Sequence, residues 1–138
     1  MEFLKVLVEF LSANGVLPAE ITPQDTNRSK TYLQSMPDTP AKVYCVTLYD
    51  TSLPSIHDKQ AGVYRIQVIM RNPNHTEVFQ EITNLWKFLI NRPDYIEEDI
   101  GQGYYAIIDC TTGPLYLGKD EHGNHRYSLN FPVKSKTF

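Results

Sequence analysis

Residues 104–109 read Tyr-Tyr-Ala-Ile-Ile-Asp, and residues 114–133 read Pro-Leu-Tyr-Leu-Gly-Lys-Asp-Glu-His-Gly-Asn-His-Arg-Tyr-Ser-Leu-Asn-Phe-Pro-Val. Their apolar and aromatic runs predict strands over residues 103–109, 115–118 and 126–133. The polar segment 120–124 predicts a tight turn, because Gly123 tolerates the positive φ that such a turn needs. The end of the chain is therefore expected to be an antiparallel part of a sheet, with no catalytic or cofactor signature in it.

Two amphipathic helices are predicted upstream. In the first, apolar residues recur at helical spacing and the helix ends at Asn14-Gly15. In the second, Asn74 and Glu77 fit a cap with an acidic partner, and Pro93 prevents the helix from continuing much beyond Asn91. The apolar positions are Phe3, Leu4, Leu7, Val8 and Leu11 in the first helix, and Val78, Phe79, Ile82, Leu85, Trp86, Leu89 and Ile90 in the second. We expect Trp86 to be the central core anchor of the second helix.

Two strands are predicted between the helices, at residues 42–49 and 63–70. In the second, Tyr64, Ile66, Val68 and Met70 alternate with Arg65 and Gln67. Such alternation indicates a sheet with one face in the core and one face exposed to water or to a partner. The sequence thus predicts a single α+β domain over residues 1–138, with a mainly antiparallel sheet and both helices packed on one face.

Two connecting segments are unusually long for a domain of this size. Residues 16–41 contain four of the nine prolines, which disfavour regular structure, so an extended arm is expected there. Residues 50–62 are mostly polar and are expected to be the long loop of a β-hairpin. Segments of this kind are either flexible connections or surfaces that contact another molecule, and the sequence leaves both interpretations open.

The composition excludes several classes of protein. The net charge is −3 and no basic block is present, which argues against sequence-specific nucleic-acid binding. No apolar run approaches the ~20 residues of a membrane span, and the N-terminus lacks the basic start of a signal peptide. The chain is therefore expected to stay in a cytosol-like compartment until it assembles. Cys45 and Cys110 are expected to be reduced and buried within strands.

The sequence contains no glycine-rich phosphate loop and no nucleophile elbow. His122 and His125 flank a turn next to Asp120 and Glu121, but no fixed third and fourth ligands accompany them, so a solvated turn is favoured over a metal site. The acidic run at residues 97–99 is interpreted as a charged loop surface. We expect no enzymatic activity, no cofactor and no metal.

The closing segment nonetheless resembles one group of proteins. Its pattern is Pro-x-x-Leu-Gly-x-Asp-Glu-x-Gly-x-x-Arg-Tyr-x-x-Asn-Phe-x-Val over residues 114–133, and the order of helix, Pro-containing segment, long-looped hairpin and second helix precedes it. In these features the chain resembles the tail terminator and minor capsid (head–tail joining) proteins of long-tailed bacteriophages. The arm at residues 22–40 is longer than the pattern of that group.

The resemblance implies a structural role in the virion, at the junction of tail and head, after assembly in the host cytoplasm. Such subunits form a ring, typically a hexamer, that caps the tail tube protein and meets the head-side connector protein, while DNA passes through the lumen without sequence-specific binding. Two surfaces are expected to make these contacts, the 50–62 loop and the exposed sheet face. Their candidate interface residues are Asp50, Ser52, His57, Asp58, Lys59, Gln60, Arg65 and Gln67.

Two alternatives remain open at this point. A head completion or stopper protein shares the class and differs in its docking partner. A small cytosolic enzyme or ligand-binding domain would instead need a concave pocket with converging polar groups and acids of perturbed pKa.

Overall fold

The computed structural model describes residues 2–18, 31–33, 41–52, 61–93 and 97–137. Within these ranges the chain forms two helices, α1 (Glu2–Ala13) and α2 (His75–Ile90). The strands are β1 (Thr31–Leu33), β2 (Val43–Ser52), β3 (Ala61–Asn72), β4 (Glu98–Gly101), β5 (Tyr104–Ile108), β6 (Leu115–Lys119) and β7 (His125–Thr137).

The described strands form one sheet in the order β1-β2-β3-β7-β5-β4, with β6 also paired to β7. Only β1 and β2 run parallel among these pairs, and the rest are antiparallel. β7 organises the sheet because it is long enough to serve three partners. One of its edges pairs with β3 along residues 61–72, and its other edge is shared by β5 near Val133 and β6 near Tyr127.

α1 is buried more completely than its stripe predicts. The helix ends as expected, since Gly15 has φ 76° and its N–H bonds the carbonyl of Ser12. Its buried side chains, each at most 2% exposed, are Phe3, Leu4, Val6, Leu7, Val8 and Leu11. Val6 was not part of the predicted stripe, so the core encloses more than one side of this helix.

α2 begins with the predicted cap, in which the Asn74 side chain accepts a hydrogen bond from the N–H of Glu77. The helix ends at Ile90, followed by the Asn91 cap. Its buried residues are Val78, Ile82, Leu85 and Leu89. The central position predicted for Trp86 is wrong: its side chain is half-buried and packs against the margin of the core. There it lies near Gly113, on which a β-carbon would be 3.8 Å from the indole.

Both helices share one core with the same face of the sheet, which confirms the α+β prediction. That face presents Tyr44 and Val46 from β2, Ile66, Val68 and Met70 from β3, and Leu129, Phe131 and Val133 from β7. Aromatic contacts join α1 to the sheet, through the rings of Phe3 and Tyr64 stacked at 4.1 Å, and to α2, through the rings of Phe10 and Phe88 at 6.0 Å. The alternating pattern of β3 is thereby explained, because its apolar positions face the helices.

Two strands were not predicted. β1 consists of three residues of the predicted arm, and it is recognised as a strand only by its parallel pairing with residues 44–46 of β2. β4 contains Glu98 and Asp99, which were interpreted as loop residues. Its burial depends on α1, which is distant in the sequence: Ile100 is 5% exposed in the core that contains α1, and a β-carbon on Gly101 would lie 4.0 Å from Val6. Closer in the chain, the Glu98 carboxylate accepts a hydrogen bond from Arg92 at 3.3 Å.

The β2–β3 hairpin is longer than predicted. Asp50, Thr51 and Ser52 pair with Arg65, Tyr64 and Val63 after a bulge at residues 48–50, and β3 begins at Ala61. Polar side chains dominate residues 50–62 and therefore predict a loop, but backbone pairing across the hairpin does not depend on side-chain polarity. Residues 53–60, and residues 19–30 and 34–40 of the predicted arm, lie outside the described part.

Candidate functional site

The described residues that were predicted to form an interface lie together on the ladder between β2 and β3, where Asp50 pairs with Arg65, and Ser52 and Gln67 each lie two positions further along their strands. Asp50 and Ser52 lie in the ladder of β2. His57, Asp58, Lys59 and Gln60 lie outside the described residues. Arg65 is exposed and Gln67 half-buried on β3, on the face of the sheet that is opposite the helices. We call this the outer face, and it also carries Arg126 and Lys134 from β7.

The outer face contains a groove of about 540 Å³ beside the end of β5. We call it the outer-face groove. It is lined by Val63, Ile107, Ile108, Asp109, Cys110, Thr111, Pro132 and Lys134. The predicted place of Cys110 inside a strand is wrong, because it follows β5 and is half-buried. Burial raises the pKa of its thiol, which disfavours the thiolate that nucleophilic chemistry requires. The buried Cys45 lies within β2 as predicted.

A second concavity, of about 320 Å³, lies between the end of α1 and α2, next to a polar network. The Tyr44 hydroxyl donates to Glu81, and the Lys42 ammonium pairs with Glu77 and lies 3.7 Å from Glu81. Burial, with Glu81 next in size, raises the pKa of Tyr44. The hydroxyl therefore stays protonated and serves as a donor that holds α2 on β2, which is a structural role.

The predicted 120–124 turn is confirmed. Gly123 has φ 80° and donates to the Asp120 carbonyl at 3.1 Å. The Asp120 carboxylate accepts hydrogen bonds from the N–H groups of His122 and Asn124 at 2.8 and 2.9 Å, and the bond from Asn124 is the largest cause that lowers its pKa. This carboxylate is thus used to build the turn. Across the described ranges, no group of three or more His, Cys, Asp or Glu side chains could hold a metal ion.

The β6–β7 hairpin meets the start of α2 in a cluster of aromatic and histidine rings. His75 stacks on His125 at 4.6 Å with 10° between the rings, and its Nε2 lies 2.6 Å from the Tyr127 hydroxyl. The Tyr116 hydroxyl lies 2.9 Å from Nδ1 of His125. We call His75, Tyr116, His125 and Tyr127 the ring cluster. No pattern in the sequence indicated the ring cluster, since its members lie up to 52 positions apart.

The ring cluster is expected to make the unfolding free energy depend on pH. Desolvation, then the charges of His75 and Lys119, lower the pKa of His125. A folded-state pKa below the unfolded value of about 6.5 means that the unfolded chain takes up the proton first. The contribution of His125 to the unfolding free energy is therefore expected to be constant above about pH 6.5. As the pH drops from about 6.5 towards the folded-state pKa of His125, the unfolding free energy is expected to fall.

Urea unfolding between pH 5 and 8 measures this effect. The His125→Gln variant is expected to lose part of the decline, whereas His122→Gln, at an imidazole that is 64% exposed in the turn, is expected to keep it. Equal pH profiles for the wild type and His125→Gln would contradict the assignment.

Large apolar side chains are exposed beside the ring cluster. Leu115, Tyr116 and Leu117 in β6 are 60%, 42% and 38% exposed, and Phe79 of α2 is 52% exposed. Phe79 and Tyr116 both contact the Tyr127 ring, at 5.9 and 5.0 Å, so these two side chains adjoin on the helix side of the sheet, while Leu115 lies opposite Ser128 on the other side. We call these four residues the hairpin patch. Phe79 fits the apolar spacing of α2, and a run of three apolar residues such as that of β6 is typical of a buried strand, so the sequence carried no signal for this exposed surface.

None of the helices in the described residues is long and apolar enough to cross a membrane. Across these residues the functional features are surfaces: an outer face with charged side chains, a groove in it, and an exposed apolar patch at a sheet edge. Such features are typical of proteins that bind other polypeptides.

Comparison with known proteins agrees with this interpretation. A search of curated proteins found none that matches the chain. A family model described as bacteriophage tail terminator protein matches residues 10–136, which takes in β1 to β6, α2, β7 except its last residue, and the whole of the 114–133 segment. The chain belongs to the family of bacteriophage tail terminator proteins.

Proposed function

We propose that the protein is the subunit of a ring, with six subunits as the expected number, that caps the end of the tail tube and joins it to the head-side connector. The observation that carries this proposal is the family match over residues 10–136. The exposed surfaces support it, since a closed ring needs two different docking surfaces on each subunit. The virion, at the junction of tail and head, is the corresponding location, after assembly in the host cytoplasm.

The outer face is better suited to protein contacts than to the wall of a channel. Its Arg65, Arg126 and Lys134 side chains are cations that attract phosphate groups. A DNA molecule that passes through a lumen is slowed by such attraction. We therefore assign the outer face, with Gln67, to contacts with a neighbouring subunit or with the tube, together with the hairpin end that includes Asp50, Ser52 and residues 57–60. DNA would pass through the hole without sequence-specific binding.

Electron microscopy of tail tubes tests the proposal. Purified protein is mixed with tubes assembled from the tube protein of its phage, and further tube protein is then added. We expect closed rings at one end of each tube and no further growth from that end. Arg65→Glu is expected to weaken capping by about tenfold or more. A partner surface that complements the positive charge of Arg65 is negative, so a glutamate at this position would repel it.

Lys5→Glu is the matched control, since it reverses an exposed cation on α1 and is expected to cap tubes as the wild type does. Tubes that keep growing in the presence of folded wild-type protein would contradict the proposal. Binding to isolated heads, without binding to tubes, would favour the head completion or stopper alternative instead.

A further inference from the structure

The hairpin patch needs a cover that approaches from the side of the sheet. In the described residues β6 pairs only with β7, so its other edge is open. Leu115 lies opposite Ser128 on the outer face, and Tyr116 lies opposite Tyr127 on the helix side. Exposed apolar side chains therefore stand on both faces of an edge strand. A polypeptide that wraps around the edge covers both, and a small ligand or a flat surface covers only one.

The patch has the size of an interface core. Aromatic side chains contribute about 150–250 Å² each when they are fully buried, and the exposed fractions of the four residues together correspond to roughly 350 Å² of apolar surface. A stable interface buries about 800 Å² per partner, and its centre is more apolar than its rim. The patch thus supplies about half of one partner's side, and the polar residues around it supply the rim.

The same chain carries a surface that complements the patch. The outer-face groove has an apolar floor that includes Val63, Ile107 and Pro132, and it has one exposed carboxylate, Asp109, and one exposed ammonium, Lys134. The hairpin next to the patch likewise has one exposed ammonium, Lys119, and one exposed carboxylate, Glu121. The hairpin patch has one charge of each sign beside it, and so has the outer-face groove, so the two apolar surfaces can meet with opposite charges facing each other.

We propose that the hairpin patch of one copy docks in the outer-face groove of a second copy of this chain, with Lys119 facing Asp109 and Glu121 facing Lys134. Patch and groove are different surfaces, so each bound copy still offers one of each. That is the requirement for a heterologous contact that repeats around a ring. This inference rests on the proposed ring and names the contact that builds it.

Native mass spectrometry of the full chain, free and released from tail tubes, tests the contact. Leu115→Asp/Leu117→Asp is expected to weaken self-association by about a hundredfold or more, because the contact would have to remove two carboxylates from water. Ile90→Asp is the matched control: it changes an apolar side chain that is 44% exposed at the far end of α2. Circular dichroism melts confirm that each variant is folded.

A charge exchange and a mixing experiment identify the two surfaces. Lys119→Glu is expected to weaken association about tenfold, and Lys119→Glu/Asp109→Lys is expected to restore it. Mixing the Leu115→Asp/Leu117→Asp variant with an Asp109→Lys/Lys134→Glu variant is expected to give dimers and nothing larger. In that mixture only one intact patch can meet one intact groove.

Several outcomes overturn the inference. If the wild type forms rings and the folded patch variant forms the same rings, the contact is wrong while the ring proposal stands. If patch variants form rings that no longer bind tubes, the occupant is the tube protein. If the wild type associates through the patch but leaves tubes uncapped, the contact stands and the proposed function fails. A wild type that stays monomeric on tubes overturns both.

Discussion

Replacing Leu7 with Asp is expected to leave a chain that does not fold at neutral pH. Leu7 lies in α1 with 0% of its surface exposed, and the core surrounds the helix on more than one side. Burial raises the pKa of a carboxyl group by up to about 3–5 units, which corresponds to a loss of about 4–7 kcal/mol of stability at neutral pH. The lost leucine burial adds roughly 1.5–3 kcal/mol. The total stability of such a domain is only about 5–15 kcal/mol.

Far-ultraviolet circular dichroism and urea unfolding measure this effect. Lys5→Asp is the matched control, because it places the same carboxylate on an exposed position of the same helix and is expected to change stability by about 0.5 kcal/mol or less. If Leu7→Asp unfolds cooperatively at the same urea concentration as the wild type, α1 is not part of the core. Most of α1 precedes the family match, which begins at residue 10, so this experiment also decides whether the helix is an essential part of the domain.

Replacing Phe131 with Ala is expected to cost about 3–5 kcal/mol, since it removes a large side chain from a core that cannot fully collapse around the cavity. Phe131 is 1% exposed in β7, where it pairs in register with Ile66 of β3 and belongs to the core shared with both helices. The unfolding free energy from urea denaturation is the quantity to compare, at a pH above 7 so that the ring cluster does not contribute.

Phe79→Ala is the matched control for that experiment, because the same change is made at a phenylalanine that is 52% exposed. Its cost is expected to be about 1 kcal/mol or less, from the partial contact of its ring with Tyr127. Equal losses for Phe131→Ala and Phe79→Ala would contradict the burial of the first and the exposure of the second. The contrast also separates stability from assembly, since Phe79 belongs to the hairpin patch and Phe131 does not.

The features that the sequence predicted correctly depend on residues close together in the chain. The Asn74 cap, the Gly15 helix end and the Gly123 turn each involve a few neighbouring residues, and all three are confirmed. The apolar face of β3 follows from a repeat of two residues, which fixes the side that faces the helices. The family resemblance likewise rested on the contiguous segment 114–133, and the family match includes that segment.

The features that were missed depend on residues far apart in the chain. β4 and the role of Trp86 were misjudged because burial depends on what packs against a residue, and this is not contained in a local window. The same holds for Phe79 and Ile90, which fit the apolar spacing of α2 but are 52% and 44% exposed. The helical repeat shows which apolar residues lie on one side of the helix. How many of them are buried depends on how much of that side the sheet covers.

The candidate site shows the same division. The sequence by itself determined both helices, the strands other than β1 and β4, the caps and turns, and the inward face of β3, because short-range sterics and hydrogen bonding decide these. Only the tertiary structure brought His75 onto His125, left the edge of β6 open beside Phe79, and formed the groove between β5 and β7. These arrangements join strands and a helix whose pairing is set by the packing of the whole core, so no local pattern in the chain encodes them.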